Sequence, residues 1–415
     1  MMIFRWLFSK TVREACAMRK HVRHWMSAQR DLLSPQAIAA VTIAMSAVRT
    51  AIQEGANKGK IRIKTEELEF AANKWLKPYP HAVWRENVEV ILVAVAVAMS
   101  IRTFFLQPFK IPTGSMQPTL YGVTSQNLIG NPNFKVPTGW ERVQKWFEGV
   151  SYVHVVAESD GVIDRISPMK RFLIFNIEQT FWIDDMPHTI WFPPDFGEAP
   201  PGEAPLAYRA GWTGGHLYHK GDEVVNFRVS AGDHLFVDRF TYNFRLPRRG
   251  EIIVFETAGI PEEMRNQVNP PIPGDEFYIK RLAGLGGETL SIKQDYEVGN
   301  VPRFGAVPVG HLVVNGQPLS ASTPHFENLY GFAGVHPGEK KLEYQENHYF
   351  GHAMLEALAP GNSFPVETNH YFAMGDNTFN SLDSRYWGSF LGDYVIGKSS
   401  FVYWPITKRF GFGNQ

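Results

Sequence analysis

The sequence predicts a mainly β protein: an antiparallel β domain with β-rich insertions, preceded by a helical N-terminal region and one transmembrane helix. Three observations carry this. Val90 to Ile101 is an apolar run broken only by Ser100. Beyond Leu120, helical periodicity gives way to short runs of Val, Ile, Phe, Tyr and Trp punctuated by Gly and Pro, the pattern of strands and turns. Charge is also split along the chain: residues 1–85 hold 15 Lys/Arg against 6 Asp/Glu, although the whole chain has 41 of each.

A chain of 415 residues has room for two or three domains. Its 44% apolar content excludes a wholly disordered protein, and the balanced charge gives no field to attract nucleic acid, so no nucleic-acid partner is expected. Cys16 is the single cysteine, which excludes an intramolecular disulfide and a four-cysteine zinc site. No metal or other cofactor is expected.

The first thirty residues interleave Arg5, Lys10, Arg13, Arg19, Lys20, Arg23 and Arg30 with apolar residues. That suits either an amphipathic helix on an anionic membrane face or a solvated basic helix. Ser34 to Gln53 reads as a second, modestly apolar helix around Pro35. Thr65 to Trp75 reads as a third, with Glu66, Glu67 and Glu69 near its start, where acidic side chains favour the dipole. The Val90 run alone is shorter than the roughly 20 residues that span a bilayer. Val88 and Phe104 to Leu106 extend it, Arg102 can snorkel, and Trp84 and Arg85 would sit among cytoplasmic headgroups. A basic segment ahead of a hydrophobic helix places the N-terminus inside. A cleaved signal peptide does not fit, because some 85 residues precede the run. In the β region, Gly161–Ile166, Phe172–Phe175, His234–Val237, Glu251–Phe255 and Val395–Ile396 read as strands.

The chemistry-bearing residues cluster in three segments. Ser115 lies in Phe109-Lys110-Ile111-Pro112-Thr113-Gly114-Ser115-Met116-Gln117-Pro118-Thr119-Leu120, just beyond the apolar helix. Lys280 follows Tyr278 and Ile279 in an apolar strand. A dense polar loop runs from Gly375 to Gly388. Serine is a poor nucleophile until a neighbour takes its proton. Lysine can take it only when burial lowers its amine from an ordinary value of about 10.4. Pro112, Gly114 and Pro118 shape a tight path that would present the Ser115 N–H, and with the Thr113 hydroxyl it would form an oxyanion hole. The polar loop lacks the sixth-position glycine and twelfth-position glutamate of a calcium site. Asp233 and His234, adjacent on a strand, face opposite ways and make a poor triad with any serine.

These segments resemble the type I signal peptidase family. Gly232-Asp233-His234-Leu235-Phe236-Val237-Asp238-Arg239, leading to Pro247-Arg248-Arg249-Gly250, adds a fourth match in the right order. The resemblance covers about a quarter of the chain. It implies a membrane-bound serine endopeptidase that removes signal peptides from exported preproteins, with Ser115 as acylating nucleophile and Lys280 as general base. Thr113 would be the side-chain oxyanion donor, Ser381 the hydroxyl that orients the amine, and Gly375 the small residue beside it. Asp383 and Arg385 would form a structural ion pair. Phe109, Ile111, Met116, Leu120, Tyr278 and Ile279 would line apolar subsites for small side chains.

The implied organisation is a cytoplasmic basic region at 1–86 and a transmembrane helix at 87–107. The catalytic β domain would comprise 108–130, 230–296 and 366–408, with an inserted β-rich subdomain at 131–229 and a second, cap-like insertion at 297–365. The expected partners are preproteins and the lipid bilayer. The expected state is a monomer in a bacterial inner membrane, with its catalytic domain on the periplasmic side. Two rivals stand beside this reading: a self-cleaving or repressor-type Ser–Lys protease of the same fold superfamily, and a membrane-anchored scaffold that binds without cutting.

Overall fold

The computed structural model describes residues 9–77, 82–131, 134, 136–173, 175–200, 202–331, 342–345 and 347–412. Arg5, Ile174 and part of the 297–365 stretch lie outside them, as does the side chain of Arg85. The chain forms two compact units, Met1–Val97 and Ala98–Gln415.

In the first unit, α1 (Lys10–Ala28), α2 (Pro35–Gln53) and α3 (Lys58–Trp75) share one apolar core. Val12, Ala15 and Val22 of α1 pack with Val41, Met45 and Val48 of α2 and with Ile61 and Leu68 of α3. The apolar stripe of the basic helix therefore packs on its neighbours. Pro35 opens α2 at a position where a helix needs no N–H, and Ser34 Oγ accepts from Ala37 N at 3.3 Å. The third helix starts seven residues earlier than its acidic cluster suggests, because Asn57 Oδ1 caps it by accepting from Lys60 N at 2.8 Å. Glu66 and Glu67 sit mid-helix, paired with Arg62 and Lys64.

Helix α4 covers Ala82–Phe104. Its stretch Glu86–Phe104 and α2 are both long and apolar enough to cross a membrane, with mean hydropathies of 1.7 and 1.3. A third of the α2 stretch is buried inside the protein, while none of the α4 stretch is. The helix ends before residue 107. Pro108 disfavours a helical conformation at Gln107, and Leu106 already pairs with Asp238.

The second unit is strand-rich. Its central eight-stranded sheet comprises β1 (Leu106–Lys110), β2 (His234–Asp238), β3 (Ile252–Glu256), β4 (Phe277–Leu285), β5 (His370–Met374), β6 (Phe390–Leu391), β7 (Val395–Trp404) and β8 (Gly411–Phe412). The order is β1-β2-β7-β3-β4-β5-β6, with β8 on β7, and every neighbouring pair is antiparallel. One face packs Ile111, Met116 and Leu120 on Leu235, Ile252 and Val254; the other packs Ile253, Phe255 and Leu282 on Trp387 and Phe390.

Residues between β1 and β2 form a three-stranded and a five-stranded sheet around Phe181, Ile183, Leu206 and Phe227. Here Phe172 ends one strand and Phe175 begins the next. Phe172 and Phe175 pair across a hairpin whose turn residue Leu173 has φ 55°, and all three are exposed. The run has the composition of a buried strand, yet Phe172, Leu173 and Phe175 face solvent. Between β4 and β5, Thr289–Val301 and Gly305–Val314 form a long hairpin in a six-stranded sheet. Residues 342–343 add the one parallel pairing among the described strands.

Candidate active site

Register brings the three segments together. In β4, Lys280 pairs with Ile253 of β3, and Arg281 with Met374 of β5, one residue before Gly375. The polar loop thus starts beside the lysine. The nucleophile turn closes over both, with Leu120 N bonded to Met116 O at 2.9 Å. Lys280 Nζ lies 2.8 Å from Ser115 Oγ, 165 residues away in sequence, and 3.2 Å from its neighbour's carbonyl, Ile279 O. Lys280 is 5% exposed and Ser115 6%.

Burial pushes the Lys280 amine down to about 8; Asp383 and Asp376 pull it up and Arg385 pushes it further down. Its nearest acids are already engaged. Arg385 Nε and Nη2 donate to Asp383 at 2.8 and 2.7 Å, and Gly375 N donates to the same carboxylate at 3.0 Å. Burial would raise the Asp383 carboxyl, but the Arg385 guanidinium and these bonds hold it below the ordinary range. Arg281 Nε and Nη2 donate to Asp376 at 2.8 and 2.7 Å. The amine that faces Ser115 therefore has no carboxylate of its own.

Gly375 is required by closeness. A Cβ there would stand 2.4 Å from Ser115 O and 2.2 Å from Ser381 Oγ. The Ser381 hydroxyl is buried and makes no hydrogen bond to the Lys280 amine that it was expected to orient; its effect is on Asp383, whose carboxyl it helps to lower. In this arrangement Ser115 Oγ and Ile279 O hold that amine. Thr113 is exposed at the mouth of the turn, its carbonyl closing on Gly122, where a Cβ would meet it at 2.2 Å.

The subsite residues divide. Phe109, Tyr278 and Ile279 keep partial exposure, and the Phe109 ring meets the edge of exposed Phe277 at 5.5 Å. Ile111, Met116 and Leu120 are at most 1% exposed and belong to the core cluster of Leu235, Ile252 and Val254.

Sequence reasoning missed exposed Phe277 beside Phe109 and Arg281 as the partner of Asp376. It also missed Asn377. The Asn377 N–H donates to Ser115 O at 3.1 Å and its Nδ2 to Gly114 O at 3.0 Å, bracketing the nucleophile. Strand alternation signalled that Arg281 turns away from Lys280; nothing local signalled Asn377. Asp233 is taken by Arg409 at 2.8 and 2.9 Å, which leaves no His234 dyad.

The sequence profile of the family described as signal peptidase, peptidase S26, matches residues 84–129 and 225–404, more than half of the chain. The chain belongs to that family. Curated relatives are signal peptidase I of Leptolyngbya laminosa, 29% identical over 180 residues, and of Pseudomonas fluorescens, 27% identical over 205 residues. Each alignment covers 43% of this chain and 64% or 62% of the relative. The chain thus spans a little under two thirds of the length of these relatives. A crystal structure of signal peptidase I from Enterococcus faecalis V583 shares 25% identity, covering 37% of this chain and 97% of that one with a TM-score of 0.22. For this member of the family, residues 130–224 fall between the two matched stretches, whereas 297–365 lie inside the second.

Proposed function

We propose that this protein is a membrane-bound serine endopeptidase that removes N-terminal signal peptides, with Ser115 as nucleophile and Lys280 as general base. The observation that carries it is the buried 2.8 Å approach of Lys280 Nζ to Ser115 Oγ, with every neighbouring carboxylate already bound to arginine. The kinship to signal peptidases supports the substrate class.

In the neutral form of Lys280 the Ser115 hydroxyl donates to the amine. As Ser115 Oγ attacks the scissile carbonyl, its proton passes to Nζ and the carbonyl oxygen becomes an oxyanion at the Ser115 N–H and the Thr113 hydroxyl. The ammonium returns that proton to the leaving amine, the new N-terminus of the mature chain, leaving an acyl-serine. Neutral Lys280 then takes a proton from water as the water oxygen attacks the acyl carbon. The C–Oγ bond breaks, the ammonium returns the proton to Ser115 Oγ, and the peptide leaves with a new C-terminal carboxyl group, which loses its proton to solvent. Phe109, Tyr278, Ile279 and Phe277 would border the peptide, and Ser381 would meet the amine as it reorients between these steps.

In the same reading α4 crosses the bacterial inner membrane with the basic unit cytoplasmic and the strand-rich unit periplasmic, working as a monomer. Confining enzyme and preprotein to one bilayer raises their effective concentration. The test is cleavage of a preprotein with an Ala-x-Ala site in liposomes by wild type and Lys280→Ala. Cutting after the last alanine by wild type alone is expected, with a loss of at least about a thousandfold in the variant. Equal cutting by both removes Lys280 from the mechanism; no cutting by folded wild type favours a binding protein.

A further inference from the structure

Residues 297–365 look like an addition to the sheet, yet one of their side chains reaches the nucleophile turn. Tyr349 Oη lies 2.8 Å from Thr119 Oγ1. The same Thr119 hydroxyl donates a short bond to Asp376 Oδ2. An ionised carboxylate only accepts, so the single Thr119 hydrogen is used there and Tyr349 must donate to Thr119. The order is fixed: Tyr349 to Thr119 to Asp376, with Arg281 donating from the other side.

This chain joins all three working segments. Thr119 ends the turn that begins at Ser115, Arg281 follows Lys280, and Asp376 follows Gly375. Thr119, Asp376 and Arg281 are 7, 2 and 3% exposed. Two further ties come from the same neighbourhood. Ala353 N donates to Thr378 Oγ1 at 2.7 Å, and the Phe350 and Phe379 rings lie 5.4 Å apart. By contrast, the described residues of 130–224 reach β1 through the half-exposed Lys110–Asp195 ion pair, and among them none makes a hydrogen bond to Thr119, Asp376 or Arg281.

We propose that Tyr349 is a positioning residue of the Ser115–Lys280 site, acting through Thr119 and Asp376. The proposal rests on the peptidase reading. A donated hydrogen bond polarises the Thr119 hydroxyl and strengthens its hold on Asp376. Without it, Asp376 keeps more of its charge and favours the ammonium form of Lys280. Facing Lys280 are Ser115 from the turn, the Tyr278 ring at 5.3 Å on its own strand, and Asp376, Asp383 and Arg385 from the loop. Facing Asp376 are Thr119 and Arg281, with Tyr330 and Tyr349 within its field.

In Tyr349→Phe, kcat should fall roughly fivefold, the worth of one neutral hydrogen bond, at unchanged KM, and its acid limb should move to higher pH. In a Thr119→Val background, Tyr349→Phe should add nothing. The deciding readout needs no substrate: the midpoint of Lys280, followed by NMR of lysine carrying 13C at Cε in the full chain in detergent micelles. A higher midpoint in Tyr349→Phe than in wild type is expected. Equal midpoints overturn the proposal whether or not the protein cleaves anything, even if the variant melts earlier. A raised midpoint in a protein that cuts no preprotein sinks the peptidase reading and leaves the coupling standing.

Discussion

The two faces of β4 hold adjacent buried cations in opposite conditions. Lys280 is enclosed with a serine, an aromatic ring and acids that belong to others, so desolvation wins and its amine is lowered to about 8. For Arg281, burial works the same way, but two hydrogen bonds and the charge of Asp376 outweigh it and raise its pKa. Burial alone therefore does not decide what a cation does; the ownership of the nearest carboxylate does. In the proposed reading one face becomes a base; the other is a bolt.

The largest effect that would break this contrast is on stability. Arg281→Ala strands Asp376, which has no exposed side-chain surface, and should cost about 3–5 kcal/mol in denaturant unfolding. A loss below about 1 kcal/mol would mean that the pair is wetter than its burial implies. The next effect is on rate. The amine works when neutral, and it is neutral above its pKa. Cleavage should therefore fall about tenfold per pH unit below roughly 8 and level off above it. An acid limb near 10 would place Lys280 among ordinary lysines. The smallest effect sharpens the contrast from outside. Lys110 and Asp195 pair at 29% and 43% side-chain exposure, so Asp195→Ala should change unfolding free energy by no more than about 1 kcal/mol, and less at high salt.

Much of this was legible in the sequence. The apolar run, the strand runs at β2, β3 and β7, and the three polar segments are local patterns, and the family resemblance put them in order. What stayed hidden depends on register. Arg281 and Asp376 are 95 residues apart and meet only because Arg281 pairs with Met374. Tyr349 reaches Thr119 across 230 residues, and no short motif announces it. Phe172–Phe175 misled because composition reports apolarity and not which side meets water. Glu66 and Glu67 misled because two i,i+3 and i,i+4 pairs resemble a helix start until Asn57 is seen to cap the helix.

The junction between α4 and β1 has a metric consequence. Phe105 alone separates the helix end at Phe104 from a five-residue strand, and Ser115 follows that strand by five residues. A strand rises about 3.3 Å per residue, so β1 is a rigid spacer of about 17 Å that is locked to β2 along its whole length. Eleven residues in all lead from Phe104 to Ser115, so even a fully extended chain keeps the two within roughly 36 Å of each other: the connection is a short leash.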